Sequence, residues 1–263
     1  MRPIIRSLLY ISIGVYIGFG IYATLRQDNM LYFPETTAKN LSECAEENGG
    51  TAIDNLRYKN LHGVLYEKST STLIVIYHGN ATNACARGLY LTALSQNPAS
   101  VLVVSYPGYL GDLTPPSSTR ILREVSDAVL WATEHRYATV GVIGESIGVG
   151  PASFHAALYP APLALIAPYP SLSALASKVL PLYPVRAILR DDFYVSSWAR
   201  AASRVLVIVG SNDTTIPKQL SENLFASLPQ KEKYFLELPY DHDELLGSIE
   251  GVRMIARFLA LPQ

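Results

Sequence analysis

The sequence predicts an α/β fold built around a mostly parallel, twisted β-sheet with flanking helices. Six short runs of apolar and mainly β-branched residues alternate with longer segments of helical spacing. Uninterrupted apolar runs are typical of strands that are buried on both faces, as in a parallel sheet. The predicted strands are residues 73–77, 101–105, 139–144, 163–167, 205–209 and 234–238.

Three segments between and after these strands have the spacing of amphipathic helices. Residues 117–136 carry apolar side chains at helical intervals, residues 218–228 follow a proline suited to a first helical turn, and residues 245–259 form one apolar stripe. Alternation of strands with helices favours a doubly wound sheet. Upstream, "NLRYKN" and "GVLYE" are candidates for an antiparallel hairpin, and residues 27–51 are polar and predicted to be loop-like.

Residues 169–202 interrupt the alternation of strands and helices. The segment contains Pro170, Pro181 and Pro184 among many apolar residues, and it contains no clear strand. It is too long for an ordinary loop between two elements. We therefore predict a small helical cap inserted over the strand ends.

The N-terminal 26 residues differ from the rest of the chain. Arg2 and Arg6 precede an uncharged apolar run at residues 7–25, and Arg26 follows it. The run approaches the roughly 20 residues of a spanning helix and exceeds the about 7–15 apolar residues of a signal peptide. The best cleavage point, after Ala23, lacks a small residue two positions upstream.

We therefore interpret residues 1–26 as an uncleaved signal-anchor and residues 27–263 as the domain that follows it. The alternatives are a cleaved signal peptide and a soluble chain with a buried N-terminal helix. Two basic residues before the run and one after it favour a cytoplasmic N-terminus. The domain is then expected outside the cytoplasm, in the periplasm if the source is bacterial.

Composition narrows the functional classes. The 263 residues fit one large or two small domains, and 49% hydrophobic with 16% charged residues provides a sizeable core. The formal net charge of −1 gives no reason to expect nucleic-acid binding. Cys44 and Cys85 form no Cys-x-x-Cys or Cys/His cluster, so we expect no metal and no cofactor. These cysteines are either one disulfide in an oxidising compartment or two unpaired thiols.

The pentapeptide "GESIG" at residues 144–148 lies between a predicted strand and a predicted helix. In that context, G-x-S-x-G predicts a tight strand-to-helix turn that presents Ser146 at the top of the sheet. Gly144 and Gly148 are expected where side chains would clash with the neighbouring strand and helix. The first amides of the new helix favour negative charge beside the serine, so the Ile147 amide is a candidate oxyanion donor.

A nucleophilic serine requires a base, and the base requires an orienting acid. In this arrangement the chain order is serine, acid, histidine. Asp213 follows the strand at 205–209, and His242 follows the strand at 234–238. Both lie where ligands bind in open α/β sheets, at the carboxyl edge of the strands.

Other residues fit these roles less well. Asp241 and Asp243 are alternative acids, but as chain neighbours of His242 their side chains are expected to point elsewhere. The remaining histidines precede Ser146, end a surface helix or lie within the helix after the turn; they are His62, His78, His135 and His155.

The second oxyanion donor is expected in the loop "HGNATNACARG", which follows the strand at 73–77. This loop matches the H-G-x-x type of oxyanion loop. The backbone amide of Asn80 is the candidate donor. His78 is predicted to be a structural brace for the loop rather than a base.

Taken together, these motifs resemble the membrane-anchored α/β-hydrolase-domain family of serine hydrolases, which includes lipid esterases and protein depalmitoylases. The resemblance covers nearly the whole chain after the anchor. The motifs occur in the family's order: "LYFPE", "YHGNA", "VSYPGY", "GESIG", "LPLYPVRAILRDDF", "VLVIVGSNDTTIP" and "DHDELL". The resemblance implies catalytic roles for Ser146, Asp213 and His242, with oxyanion amides at Asn80 and Ile147.

Two departures from the family pattern affect function. After "YPGY" the chain reads "LGDLTPPSS", where the family has a further glycine and a serine, so the loop at the substrate entrance is expected to differ. The cysteine-rich targeting segment of the depalmitoylases is also absent, which disfavours depalmitoylation.

The sequence therefore predicts a serine hydrolase that cleaves carboxylic esters, with lipid-like acyl groups, through an acyl-enzyme. Its expected partners are a small-molecule or lipid ester and the membrane. Thioesterase and peptidase activities use the same three residues and stay open. A non-catalytic, membrane-tethered binding module is the alternative from a different class.

Overall fold

The computed structural model describes residues 2–35, 39–54, 58 and 61–260. Within these ranges, eight strands form one sheet in the order β1-β2-β4-β3-β5-β6-β7-β8. The strands are β1 Thr51–Asp54, β2 His62–Tyr66, β3 Thr72–Tyr77, β4 Ser100–Val104, β5 Ala138–Glu145, β6 Leu163–Ile166, β7 Val205–Gly210 and β8 Lys233–Leu238. The last six are the predicted strands, and this part of the sequence interpretation is confirmed.

The helices of the described ranges flank the sheet or cap its edge. They are α1 Arg2–Leu31, α2 Leu41–Glu47, α3 Gly88–Ala93, α4 Ser118–Glu134, α5 Val149–Leu158, α6 Leu172–Val179, α7 Val185–Ile188, α8 Val195–Trp198, α9 Lys218–Ser227, α10 His242–Leu246 and α11 Ile249–Ala260. Short 3₁₀ turns at Ser146–Gly148 and Ala199–Ala201 adjoin α5 and α8. Helices α6, α7 and α8 occupy residues 169–202, as the prediction of a helical cap requires.

Strand pairing explains why the apolar runs are uninterrupted. Strands β3 to β8 pair in parallel, and only β1 with β2 and β2 with β4 pair antiparallel. All residues of β4 and β7 are buried. Because parallel strands end at one edge of the sheet, the residues that follow β3, β5, β7 and β8 meet there.

The structure corrects three predictions of local structure. The segment 27–51, predicted to be loop-like, contains helical residues 27–31 at the end of α1 and 41–47 in α2, with a capping box between Asn40 and Glu43. The predicted helix at 245–259 is two helices, α10 and α11, and Asp241 caps α10. The first strand of the N-terminal hairpin is β1, and most of "NLRYKN" lies outside the described residues.

Helix α1 is long and apolar enough to cross a membrane, with a mean hydropathy of 1.8 over its most apolar stretch. A signal sequence has the same properties at the same place in a chain. The helix runs without a break through residue 26, where the sequence interpretation placed the end of the anchor. The division of the chain at that residue stays a prediction.

Of the two states considered for the cysteines, the structure has the disulfide. Cys44 of α2 and Cys85 of the loop after β3 are bonded, with their Cα atoms 5.9 Å apart. The bond ties the N-terminal segment to the loop that carries Asn80. Disulfides persist in oxidising compartments.

Replacing both cysteines with alanine is expected to lower the free energy of unfolding by about 4 kcal/mol, because the bond closes a long loop. The two cysteines are 41 residues apart. For a domain of this size the loss corresponds to a fall in Tm of roughly 8–16 °C, measured by thermal unfolding in detergent. Wild-type protein treated with a reductant should match the double variant. An unchanged Tm in both samples would show that the bond contributes nothing to stability.

Candidate active site

The turn between β5 and α5 holds Ser146 in a strained backbone conformation. Its φ is 52°, in the left-handed region that non-glycine residues rarely adopt. A Cβ at Gly144 would lie 2.6 Å from the Ala152 side chain, and a Cβ at Gly148 would overlap the Tyr77 carbonyl oxygen. Both glycines are therefore required by close backbone approach, as the sequence predicts, and the turn presents the serine hydroxyl at the sheet edge.

The structure brings Ser146, His242 and Asp213 into one chain of hydrogen bonds. Ser146 Oγ lies 3.1 Å from His242 Nε2, and His242 Nδ1 lies 2.7 Å from Asp213 Oδ2. The other oxygen, Asp213 Oδ1, accepts the amides of Thr215 at 2.9 Å and Ile216 at 2.7 Å. The Asp213 side chain is almost fully buried, and that of His242 is mostly buried.

This geometry determines which nitrogen of His242 can act on the serine. The Asp213 carboxylate is fixed by two backbone donors and can only accept, so Nδ1 of His242 carries the proton. In the neutral imidazole, Nε2 is then the acceptor that faces the hydroxyl. Such an arrangement allows a serine hydroxyl to lose its proton to the imidazole as the oxygen attacks an electrophile.

The alternative acids are occupied elsewhere or exposed. Asp241 caps α10, with its Oδ1 accepting the Glu244 amide at 2.9 Å. Asp243 is an exposed residue in the first turn of the same helix. Asp213 is thus the carboxylate that meets His242.

The two predicted oxyanion residues lie beside Ser146 in the wall of one cavity. The Ile147 amide belongs to the first turn after β5, where amides have no partner within the helix. Asn80 is held by its side chain, whose Oδ1 accepts from the Tyr109 hydroxyl at 2.8 Å and whose Nδ2 donates to the Leu31 carbonyl at 2.8 Å. The loop that carries the Asn80 amide is therefore fixed on both sides.

Glu145 was not assigned a role by the sequence, and the structure gives it one. Its Oε1 accepts from the Gly79 amide at 3.0 Å and pairs with Arg87 Nη1, while Oε2 accepts from the Tyr90 hydroxyl at 2.7 Å. The side chain is fully buried at the end of β5. A buried carboxylate next to the serine thus holds the loop that carries Asn80. The sequence feature that could have pointed to this role is a glutamate at the end of an otherwise apolar strand.

The four other histidines have separate partners. His78 donates from Nδ1 to the Gly79 carbonyl at 2.8 Å, and burial lowers its pKa to about 3, so it is a neutral brace. His155 bonds to the Tyr77 hydroxyl at 2.8 Å, and burial also lowers its pKa to about 3. His62 pairs with Glu124, and His135 bonds to the carbonyl of Trp131.

An apolar cavity of about 340 Å³ opens beside Ser146. Its size falls within the usual range of small-molecule sites. The cap contributes Leu172, Leu175, Ala176, Val179, Leu180, Val185, Ile188 and Leu189 to its walls. Helix α1 contributes five more lining residues: Ala23, Thr24, Gln27, Met30 and Leu31. In the part of the chain that the structure describes, no group of three His, Cys, Asp or Glu side chains is placed to hold a metal ion.

Comparison with known proteins defines the class of fold. The Pyrococcus furiosus esterase Pf2001 superimposes with a TM-score of 0.63 at 13% identity, over 87% of this chain and 97% of that chain. Est1E from Butyrivibrio proteoclasticus gives 0.59 at 16%, over 81% and 99%. A Paleococcus ferrophilus monoacylglycerol lipase gives 0.57 at 18%, over 76% and 98%. The chain therefore has the α/β-hydrolase fold.

Two sequence relatives match over nearly the whole chain. They are the uncharacterized Mycobacterium tuberculosis proteins MT2364, of strain CDC 1551 / Oshkosh, and Rv2307c, of strain H37Rv. Each is 26% identical over 267 residues, which cover 97% of this chain and 95% of the relative. No protein-family model matches the chain.

Proposed function

We propose that the chain is a membrane-anchored serine hydrolase that cleaves carboxylic esters of long-chain acids. The observation that carries the proposal is the hydrogen-bonded series Ser146, His242 and Asp213 at the end of an apolar cavity. The esterases and the lipase that share the fold support an ester as the substrate.

In the first half of the reaction, Ser146 Oγ attacks the ester carbonyl carbon while its proton moves to His242 Nε2. The carbonyl oxygen becomes an oxyanion that accepts hydrogen bonds from the Asn80 and Ile147 amides. Loss of one comparable donor costs about 10²–10³ in kcat. The bond to the alcohol oxygen then breaks, and His242 donates its proton to the departing alcohol.

In the second half, water attacks the acyl-serine. His242 takes a proton from that water, and the new oxyanion is held by the same two amides. The acyl–Ser146 bond breaks, His242 returns the proton to the serine oxygen, and the carboxylic acid leaves. Throughout the cycle Asp213 keeps the imidazole oriented and stabilises its protonated form.

The walls of the cavity favour an apolar acyl group. Most of the lining side chains contributed by the cap are aliphatic, and burying each methylene of a substrate contributes about 0.8 kcal/mol to its binding. The absent cysteine-rich segment continues to disfavour protein depalmitoylation. Anchoring by α1, with the domain outside the cytoplasm, agrees with the disulfide between Cys44 and Cys85.

Fluorophosphonate labelling of the full chain in detergent tests this function, because the reagent reacts with activated serines. We expect wild type to be labelled and Ser146→Ala to lose all label and ester hydrolysis. Ser211→Ala, which removes an exposed serine from the Asp213 loop, should keep both. Folded wild-type protein that takes no label would contradict the hydrolase and favour the binding module.

A further inference from the structure

Helix α1 has two parts that differ in their surroundings. Each of residues 3–19 is exposed, and the contacts of Tyr16 and Phe19 with Tyr183 leave both side chains partly uncovered. From Gly20 onward one face is covered, at positions that recur every three or four residues: 20, 23, 24, 27, 28 and 31. The exposed part is about 26 Å long at 1.5 Å per residue, close to the roughly 30 Å hydrocarbon thickness of a bilayer. The covered part begins where the helix would leave the membrane.

The cap contacts α1 near the point where the helix would leave the membrane. The Tyr16 ring stacks on Tyr183 with centroids 4.4 Å apart, and the Tyr16 hydroxyl donates to the Leu182 carbonyl at 2.6 Å. Tyr183 returns a hydrogen bond to the Tyr16 carbonyl at 3.0 Å. Because Tyr16 belongs to the exposed, membrane-length part of α1, the cap residues that touch it lie at the depth of the bilayer surface.

A second set of contacts fixes α1 on the cap about three turns further along. Gln27 donates from Nε2 to the Ile188 carbonyl at 3.4 Å and accepts at Oε1 from the Arg190 amide at 2.6 Å. Two separated attachments to cap backbone define the direction of the helix against the cap. The C-terminal part of α1 is therefore fixed against the cap, and residues 3–19 form the membrane-length part of the same helix.

The cap surface beside this exit point is apolar. Its side chains are left largely uncovered by the other described residues. Val179 is 70% exposed and Leu182 is 79% exposed, on either side of Leu180 and Pro181. Exposed Lys178 lies next to this strip in the chain. An exposed aliphatic strip bordered by a basic side chain suits the interface of a bilayer, where lysine reaches the headgroups.

The cavity reaches this strip at one residue. Val179 lines the cavity and is also 70% exposed, so the cavity is open to the surface beside it. Residues of α1 from Ala23 to Leu31 and the nucleophile candidate Ser146 line the same cavity. The route from the membrane-facing strip to the serine thus runs between α1 and the cap.

We propose that α1 is both the membrane anchor and one wall of the acyl-binding cavity, whose mouth at Val179 opens to the bilayer. The inference rests on the proposed function and specifies its substrate: an ester of a long-chain acid that resides in the same membrane. Such a substrate passes its acyl chain along α1 to Ser146 without crossing water. Ala23 then borders the path of the acyl chain.

The first test compares Ala23→Phe with Leu25→Phe in the full chain in nanodiscs. Leu25 is two residues away and 70% exposed, so the control places the same aromatic ring on α1 outside the cavity. Ala23→Phe should lower kcat/KM for a C16 p-nitrophenyl ester about tenfold, the loss expected when roughly two methylene groups are excluded. Acetate hydrolysis and fluorophosphonate labelling are the reference readouts, so the ratio of C16 to acetate activity should fall for Ala23→Phe, and Leu25→Phe should match wild type throughout. Ala23→Val should lower the ratio of C16 to acetate activity by a smaller factor than Ala23→Phe does.

The second test addresses the mouth. Val179→Asp with Leu182→Asp should slow hydrolysis of a C16 ester carried in vesicles about tenfold or more, while the soluble acetate ester is unaffected. Ile249→Asp is the control, since it places the same charge on an exposed apolar site at the start of α11. Equal effects on both esters, or an equal effect of Ile249→Asp, would overturn the bilayer-facing mouth.

The two proposals fail in different ways. Wild-type protein that takes no label and hydrolyses neither ester would overturn the hydrolase, and this inference with it. Wild type that is active, with Ala23→Phe and Leu25→Phe showing the same ratio of C16 to acetate activity, would overturn the wall formed by α1 and leave the hydrolase intact.

Discussion

Asp213→Asn is expected to lower kcat for ester hydrolysis about 10⁴-fold while the domain stays folded. An asparagine keeps the shape of the aspartate, and its carbonyl oxygen can still accept the amides of Thr215 and Ile216. Its amino group then faces Nδ1 of His242. Because that group donates, Nδ1 must accept, and the ring proton moves to Nε2, where it can no longer take the serine proton.

The measurement is kcat with a p-nitrophenyl ester for Asp213→Asn and, as a control, for Asp243→Asn. Asp243 is an exposed neighbour of His242, so its replacement should change kcat less than twofold. Fluorophosphonate labelling should slow in parallel with hydrolysis. If Asp243→Asn loses activity and Asp213→Asn keeps it, the assignment of the acid is wrong.

Glu145→Ala is expected to lower the free energy of unfolding by about 3–5 kcal/mol, because it leaves the buried Arg87 guanidinium without its carboxylate. The Gly79 amide and the Tyr90 hydroxyl lose their acceptor as well. Since Gly79 precedes Asn80, the loop that carries the proposed oxyanion amide loses one of its supports. We therefore expect kcat to fall in addition to stability.

A second variant separates these two effects. Adding Arg87→Met to Glu145→Ala removes the unpaired charge, so the Tm should recover by several degrees over Glu145→Ala alone. The Gly79 amide still lacks its acceptor, so kcat should stay low. Thermal unfolding and kcat are measured on the same samples. Recovery of kcat together with the Tm would show that Glu145 acts on stability alone and does not position the loop.

The strands and the serine turn follow from features that are local in the chain. Buried parallel strands need consecutive apolar residues, and β3 to β8 are found where such runs occur. The two glycines that the turn requires lie two residues before and two residues after Ser146, so the motif can be recognised from the sequence alone. Asp213 and His242 follow from chain order and from the position of their strands, since parallel strands end at one edge.

The prediction from local residue patterns was wrong where polar residues of a helix are stabilised by partners far along the chain. The last turns of α1 look like a loop in the sequence because Gln27 and Asp28 end the apolar run. In the structure Gln27 bonds to cap residues 161 and 163 positions away. The capping box of α2, by contrast, spans three residues and was readable from Asn40 and Glu43.

The sequence by itself determined the fold class, the six parallel strands and the three polar residues at the sheet edge, because periodicity and short motifs express local backbone requirements. Only the tertiary structure decided that Glu145 pairs with Arg87 across 58 positions, and that Cys44 pairs with Cys85 across 41. It also decided that α1 lines the cavity beside Ser146. Such contacts depend on which elements pack together, and that is set by burial of the whole core rather than by any one segment.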